Sequence, residues 1–262
     1  YITNIANSID CNTNGVGDVC DIANGDADDN NENGVPDECE APVTWIVDDD
    51  GKADFDNIQA AVDAASSGWG IIVLPGTYTG SGDEVVDMRG KEIWLHSSAG
   101  AEVTIIDGGN VRRGILCDND ETSNTIIEGF TITNCSQERG AGLYCDGSSP
   151  LIINCTFKNN FASEWGAAAY ATGGASPSFD SCIFEFNSAN NGAGLGVFDN
   201  AGGSISLLDC LFLSNTADAA SGAIKGHGSD VMSLIGCELE SNSAGVGGAI
   251  RIQNSTGLTT FE

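Results

Sequence analysis

The second half of the chain repeats every 27 or 28 residues, and this period is the strongest constraint on its fold. Each of the stretches INCTFKNN, DSCIFEFN, LDCLFLSN and IGCELESN contains a cysteine that is followed five residues later by an asparagine. The cysteines are Cys155, Cys182, Cys210 and Cys237, and the asparagines are Asn160, Asn187, Asn215 and Asn242. We expect Cys135 to belong to the same cysteine column, and the thiols of this column, like those of Cys117 and Cys145, to be buried and free. A unit of constant length is typical of a solenoid, in which each unit stacks on the previous one.

Small residues follow the same period and place one further residue of each unit in a common column. The stretches GAGLY, GAAAY, GAGLG, GAIK and GAIR supply this column, which consists of Leu143, Ala169, Leu195, Ile224 and Ile250. The short apolar runs are separated by Gly, Asn and Ser rather than by helical patterns. We therefore predict an all-β fold, a parallel β-helix of about eight coils and about 38 Å, at about 4.8 Å per strand. Asparagine columns in such a fold are expected to hydrogen-bond one another.

One segment departs from the strand pattern. In ADFDNIQAAVDAASSG, apolar residues lie at Ile58, Ala61, Val62 and Ala65, the spacing of an amphipathic helix that begins after a capping aspartate. We predict a short helix over residues 55–65 that covers the open edge of the first coil.

The first forty residues have a different character, with ten acidic residues and no Lys or Arg. Two twelve-residue segments in this region, DCNTNGVGDVCD and DNNENGVPDECE, begin 19 residues apart and place oxygen ligands at the positions of a calcium loop. Such a bare acidic chain would repel itself, so we predict two bound Ca²⁺ ions. The predicted ligands are Asp10, Asn12, Asn14, the Val16 carbonyl, Asp18 and Asp21 in the first loop, and Asp29, Asn31, Asn33, the Val35 carbonyl, Asp37 and Glu40 in the second.

These two segments resemble thrombospondin type 3 and dockerin-type calcium repeats, a resemblance that covers about 31 residues and implies structural calcium. No amphipathic helix is predicted beside either loop, so a helical docking face is not expected. Three cysteines, Cys11, Cys20 and Cys39, lie within the loops, and the sequence leaves open which two of them pair.

Residues 43–262 resemble the pectin-lyase-like superfamily of right-handed parallel β-helices, through ADFDNIQAAVDAASSGWGIIVLPGTYTG, VTIIDGG, IIEGFTITNC and the later repeats. The repeats also resemble those of bacterial surface proteins and adhesins. We therefore divide the chain into a calcium-loop module (residues 1–41) and a β-helix (residues 42–262). The last coil, around Ile250, Ile252 and Leu258, is expected to be open and to pair with another copy head-to-tail or with the strand YITNI.

The resemblance does not determine whether the protein is an enzyme, because the superfamily includes polysaccharide lyases and hydrolases as well as structural proteins. The arginine motifs of pectate lyases and the paired aspartates of polygalacturonases are missing, and we predict no catalytic residues. The alternative is an enzyme or binding protein for polysaccharides. Its candidate acids are Asp107, Asp118, Asp120, Asp146 and Glu164, and its candidate bases are Arg139, Lys225 and Arg251.

Charge and cysteine content limit which binding partners and which cellular compartment are expected. The net charge of −29 argues against nucleic acid and anionic membranes as partners. The sequence contains no run of 18 apolar residues, so no membrane span is predicted. Ten cysteines without a C-x-x-C pair favour a secreted or cell-surface protein. Within that compartment we expect a non-catalytic, calcium-stabilised rod for surface architecture or adhesion, with another copy or a surface glycan as its partner.

Overall fold

A computed structural model describes residues 10–11, 14–27, 34–36, 39, 43–227, 231–253 and 259–261. From residue 43 onward the chain winds through short strands, and each strand pairs in parallel with the strands one coil before and after it. In a middle coil the chain passes through four sheets, A, B, D and C, in that order. The predicted parallel β-helix is confirmed.

The strands are numbered in chain order. Sheet A contains β1 (Thr44–Val47), β2 (Gly70–Val73), β5 (Trp94–Ser97), β8 (Ile126–Glu128), β12 (Leu151–Ile153), β16 (Ser178–Asp180), β20 (Ser204–Leu208), β24 (Val231–Ile235) and β28 (Thr259–Phe261). Sheet B contains β3 (Gly76–Tyr78), β6 (Thr104–Asp107), β9 (Thr131–Thr133), β13 (Thr156–Lys158), β17 (Ile183–Glu185), β21 (Leu211–Leu213) and β25 (Glu238–Glu240).

The other two sheets complete the coils. Sheet C contains β4 (Glu84–Asp87), β7 (Arg113–Cys117), β11 (Leu143–Asp146), β15 (Ala169–Thr172), β19 (Leu195–Phe198), β23 (Ile224–His227) and β27 (Ile250–Gln253). Sheet D contains β10 (Ser136–Arg139), β14 (Phe161–Trp165), β18 (Ser188–Asn191), β22 (Thr216–Ala220) and β26 (Ser243–Val246). The nine strands of sheet A are separated by eight spacings of about 4.8 Å, which gives the expected length of about 38 Å.

Stacking of equal coils builds the core from columns of like residues. Leu143, Ala169 and Leu195 are register partners on sheet C, as the small-residue motif predicts, and all three are buried. On sheet B the ring of Phe184 stacks on those of Phe157 and Phe212, with centroid distances of 5.3 and 4.4 Å. Such columns bury apolar area continuously along the rod, which is the main source of its stability.

The predicted asparagine ladder is confirmed, and it lies at the corner between sheets B and D. The side-chain nitrogen of Asn187 donates to Oδ1 of Asn215 at 2.9 Å and to the carbonyl of Phe157 at 2.9 Å. Oδ1 of Asn187 accepts from the backbone nitrogen and from Nδ2 of Asn160, at 3.0 and 3.1 Å. Each rung therefore satisfies buried backbone groups of neighbouring coils at a corner where the strand ladder is interrupted.

Cys135 belongs to this ladder, and grouping it with the column of Cys155 by sequence is wrong. Its backbone nitrogen donates to Oδ1 of Asn160 at 2.9 Å, and the next residue, Ser136, is the register partner of Phe161. The coil that contains Cys135 is shorter than the later ones, so the 27-residue period does not extend back to it. In the preceding coil, the position equivalent to Cys155 is occupied by Phe130, whose carbonyl accepts from the nitrogen of Thr156 at 2.8 Å.

Two helices occur in the described residues: α1 (Asp18–Asn24) and α2 (Ile58–Ala64). Helix α2 packs against β1, β2 and β4 at the first coils and buries Ile58, Ala61 and Val62, so the predicted helix and its apolar face are confirmed. The capping residue is Asn57, not an aspartate, since Oδ1 of Asn57 accepts from the nitrogen of Ala60 at 2.8 Å.

Replacement of Asn187 by alanine is expected to destabilise the rod by roughly 2 to 4 kcal/mol, because it removes the side-chain donor to the Phe157 carbonyl and the acceptor of the buried Asn160 backbone N–H. Urea-induced unfolding measures this loss. Asn190, which is exposed on the next strand, is the control, and Asn190→Ala should change stability by less than about 0.5 kcal/mol. Equal effects of the two substitutions would contradict a stabilising ladder.

Candidate functional site

The first predicted calcium loop folds around its acidic side chains. Asp10 accepts from the backbone nitrogens of Asn14 and Gly15, at 3.2 and 3.0 Å, and thereby closes the turn. Gly15 has a φ of +90°, a conformation that side chains other than glycine rarely adopt, so glycine at the sixth loop position has a structural reason. Helix α1 then begins at Asp18, the ninth loop position.

Two carboxylates of this loop are buried: Asp18 is 4% exposed and Asp21 is 1% exposed. Oδ1 of Asp18 accepts from the nitrogen of Cys11 at 2.9 Å, and Oδ2 of Asp21 accepts from Nδ2 of Asn14 at 3.2 Å. Oδ1 of Asp21 is buried and has no hydrogen-bond partner among the described residues. A buried carboxylate oxygen without a donor is costly, and a cation would satisfy it.

Hydrogen bonds link Asp10, Asn14 and Asp21 of the predicted ligand set, whereas Asp18 accepts from Cys11 and lies beside the Cys11–Cys39 disulfide. Val16 and Val35 are described and exposed. The remaining predicted ligands lie outside the described residues: Asn12, Asp29, Asn31, Asn33, Asp37 and Glu40. A short helix that the sequence pattern does not predict, α1, begins inside the first loop directly after Gly17; its buried residues are Asp18 and Asp21, so it presents no apolar face.

The cysteine pairing that the sequence leaves open is Cys11 with Cys39, whose Cα atoms are 5.7 Å apart. The bond links position 2 of the first loop to position 11 of the second. Cys20 carries a free thiol. The two bonded sulfur atoms lie near the Asp18 carboxylate, but a disulfide offers no thiolate, so oxygen atoms are the ligands available there.

The cysteines of the β-helix are free and nearly all buried, as the packing of small apolar side chains predicts. Burial raises the pKa of Cys135 and of Cys155 to about 12. Their thiols are therefore neutral at physiological pH and act as core residues.

A second group of polar and aromatic side chains, which includes the fully buried Tyr170, lies at the corner where sheet D turns into sheet C. We call Tyr144, Trp165, Tyr170, Phe198, Lys225 and Arg251 the corner strip. Lys225 is 8% exposed, and its Nζ lies 4.0 Å from the ring centroid of Trp165 and 2.6 Å from Oδ1 of Asn191. The ring centroids of Trp165 and Phe198 are 5.1 Å apart.

The candidate acids do not come together as a catalytic set. Asp107 lies on sheet B, where it accepts from the nitrogen of Gly109 at 2.8 Å and from Nδ2 of Asn134 at 3.0 Å. Glu164 lies on sheet D and forms a two-fold contact with Arg139, at 2.8 and 2.6 Å. Of the others, Asp118 and Asp120 lie in the turn that follows β7, and Asp146 is the last residue of β11.

One buried acid escapes sequence reasoning. Glu121 is 1% exposed and accepts from the nitrogens of Gly90 and Asn119 and from the hydroxyl of Ser148, at 2.7, 3.0 and 2.6 Å. These three donors fix the turns of adjacent coils, which is a structural role. The 27-residue repeat gives no sequence signal that would identify Glu121 as a buried residue. The tyrosines of the corner strip, in contrast, follow the inward column of Leu143 directly, so the alternation of a strand could have identified them.

Comparison with known families agrees with this architecture. A model of the family described as "Right handed beta helix region" matches residues 69–243, which is more than half of the chain. The chain belongs to the right-handed β-helix family. A search of curated proteins finds no match to this β-helix protein. In its described part, neither helix has the length and apolar character needed to cross a membrane.

The acidic turns of the β-helix protein have a measurable electrostatic consequence at Asp118. Burial raises the pKa of Asp118, and the carboxylates of Asp87, Glu121 and Asp146 add to this shift against the opposing effect of Arg113. A pKa raised on folding means that ionisation destabilises the folded state, so this cost is present at neutral pH and disappears as the pH falls below the pKa of the unfolded chain.

We therefore expect Asp118→Asn to stabilise the protein slightly at pH 7, by at most about 0.5 kcal/mol, and to have no effect near pH 3. Thermal melting at the two pH values is the measurement. Asp218→Asn, at an exposed position on sheet D, changes the net charge equally and serves as the control. Destabilisation by Asp118→Asn at neutral pH, or a gain that Asp218→Asn shares fully, would show that the local acidic cluster has no such cost.

Proposed function

We propose that this protein is a non-catalytic, calcium-stabilised β-helical rod that serves a structural or adhesive role outside the cell. The observation that carries the proposal is the buried Asp21 carboxylate, whose Oδ1 has no hydrogen-bond partner in the part of the chain that the structure describes. Calcium prefers oxygen ligands of this kind, and in a loop of twelve residues it takes them from the positions that Asp10, Asn14, Asp18 and Asp21 occupy.

Charge supports calcium at this site. The first forty residues contain ten carboxylates and no Lys or Arg, so the protein offers no side-chain cation there to neutralise them. Burial of the Asp18 and Asp21 carboxylates is unfavourable unless cations or hydrogen-bond donors compensate their charge. The Cys11–Cys39 disulfide fastens the first loop to the segment of the second, which reduces the chain entropy that calcium binding must overcome.

The surface of the β-helix supports a structural or adhesive role. Its candidate acids act in turns and ion pairs: Asp107 caps a turn, and Glu164 pairs with Arg139. The outward row of sheet D carries mostly hydroxyl side chains, namely Ser136, Ser188, Thr216 and Ser243 beside Phe161. Extracellular localisation is consistent with the disulfide. End-to-end association stays a prediction.

Removal of calcium is expected to unfold residues 10–27 and to leave the β-helix folded, because the loop has little apolar core of its own. Amide hydrogen exchange with and without EDTA, with the disulfide intact, measures this.

Asp21→Asn should weaken calcium binding at least about tenfold, since it removes a buried anionic ligand.

Asp26→Asn is the matched control, because Asp26 is exposed and lies outside the loop positions. It should leave calcium affinity nearly unchanged. Exchange protection of residues 10–27 that is indifferent to EDTA, or equal affinities of the two variants, would refute calcium stabilisation at this loop.

A further inference from the structure

Lys225 and Asn191 belong to adjacent coils and meet at the corner between sheets D and C. Asn191 is the last residue of β18 and the register partner of Ala220 in the next coil. Lys225 lies on β23 as the register partner of Gly196, which is on the same coil as Asn191. The lysine therefore reaches back by one coil to an asparagine that is 34 residues away in sequence. A covalent bond between these two side chains would fasten one coil to the next.

The backbone after Asn191 brings the two residues into contact. Gly192 has a φ of +55°, and a Cβ atom there would lie only 3.0 Å from Cβ of Lys225, so a larger residue would push the lysine away. The Gly192 nitrogen donates to the carbonyl of Ala220 at 2.9 Å. This nitrogen is therefore not available to attack the Asn191 side chain, which is the reaction that deamidates exposed Asn-Gly pairs.

The two side chains are arranged as an amine that faces an amide. Nζ of Lys225 lies 2.6 Å from Oδ1 of Asn191, and Nδ2 of the same amide donates to the backbone carbonyl of Glu164 at 3.5 Å. Because a C=O bond measures about 1.23 Å, Nζ is no more than about 3.8 Å from the side-chain carbonyl carbon of Asn191. Atoms about 3 to 3.5 Å apart are positioned for reaction, so a small movement brings the amine to the carbon.

The surroundings of Lys225 favour its neutral, nucleophilic form. Lys225 is 8% exposed, and the ring centroid of Trp165 lies 4.0 Å from Nζ, which excludes water from this side. Burial lowers the pKa of Lys225, and the charge of Arg251 on the next strand lowers it further. In the part of the chain that the structure describes, no carboxylate forms an ion pair with Lys225. Desolvation without a counter-ion is one way in which proteins activate a lysine amine.

We propose that Lys225 and Asn191 become joined by an intramolecular isopeptide bond. Nζ of the neutral amine attacks Cγ of Asn191, a bond forms between these two atoms, and the bond from Cγ to Nδ2 breaks. One proton passes from Nζ to Nδ2, which leaves as ammonia, so atoms and charge balance, no electrons are transferred and no co-reactant is needed. Ammonia is protonated in neutral water and diffuses away, which makes the reaction irreversible.

Proton transfer sets the rate of this reaction. A positioned general base contributes about 10²- to 10⁴-fold to such a step, and none of the described carboxylates contacts Lys225. We therefore expect the bond to form over days after folding rather than within minutes. It forms only in the folded chain, because unfolding separates the two side chains.

The bond would oppose loss of coils from the rod. A solenoid is held together by contacts between neighbouring repeats, so it can open one coil at a time from its ends. A covalent link between neighbouring coils closes a loop that spans both of them and restricts the unfolded chain. This modification goes beyond the proposed structural role and does not depend on calcium at the N-terminal loop.

Mass spectrometry of the intact full chain tests the proposal, before and after weeks of incubation at physiological temperature. We expect the mass to fall about 17 Da below that calculated for the disulfide-bonded chain, which is the loss of one ammonia. Digestion should then yield a branched peptide that contains both Asn191 and Lys225. This peptide distinguishes the isopeptide bond from ammonia loss at another asparagine.

Lys225→Arg keeps the positive charge but removes the nucleophile, and Asn191→Ala removes the amide, so both substitutions should abolish the branched peptide. Lys158→Arg is the matched control, because Lys158 pairs with Glu185 on sheet B, and it should react as fully as the unsubstituted chain. The mass of the unsubstituted chain is decisive whether or not the variants fold. An unchanged mass after incubation, in protein that circular dichroism shows to be folded, or an equal mass loss in Lys225→Arg, would overturn the proposal.

Discussion

Backbone hydrogen bonding between successive coils is the constraint on which the rest of this structure depends. Parallel pairing fixes each residue opposite one residue of the next coil, so any side chain is repeated as a column along the rod. Columns of phenylalanine and of asparagine are stable because like groups stack or hydrogen-bond at the strand spacing. The same register also assembles surface groups that are more than twenty residues apart in sequence.

The distribution of charge is the second organising feature. With 38 acidic and 9 basic residues, the chain cannot neutralise most of its carboxylates internally. Acidic residues of the β-helix lie at turns, where their carboxylates accept hydrogen bonds from backbone nitrogens, as those of Asp107 and Glu121 do. The N-terminal segment buries Asp21 with one oxygen that has no donor among the described residues, which is the physical reason to propose a cation there.

Sequence reasoning predicts the columns well, because a 27-residue period leaves few alternatives for Leu143, Asn187 or Cys182 and their partners. It fails at Cys135, since the earlier coil is shorter and a period measured downstream does not extend to it. It also misses the helix that begins at Asp18, whose seven residues are too few for a periodic pattern. The corner strip could be predicted only in part: strand alternation places Tyr144 and Tyr170 on the outer face of sheet C, but the contact of Lys225 with Trp165 depends on the pairing of strands from different coils.

The register itself can be tested without any substitution. Lys158 and Glu185 face each other on adjacent coils with Nζ and Oε1 2.8 Å apart. A zero-length carbodiimide cross-link joins an amine only to a carboxylate that it already touches. Mass spectrometry of digested, cross-linked protein is predicted to find Lys158 joined to Glu185; a link from Lys158 to another carboxylate with Glu185 unmodified would contradict the register from which the columns, the ladder and the corner strip all follow.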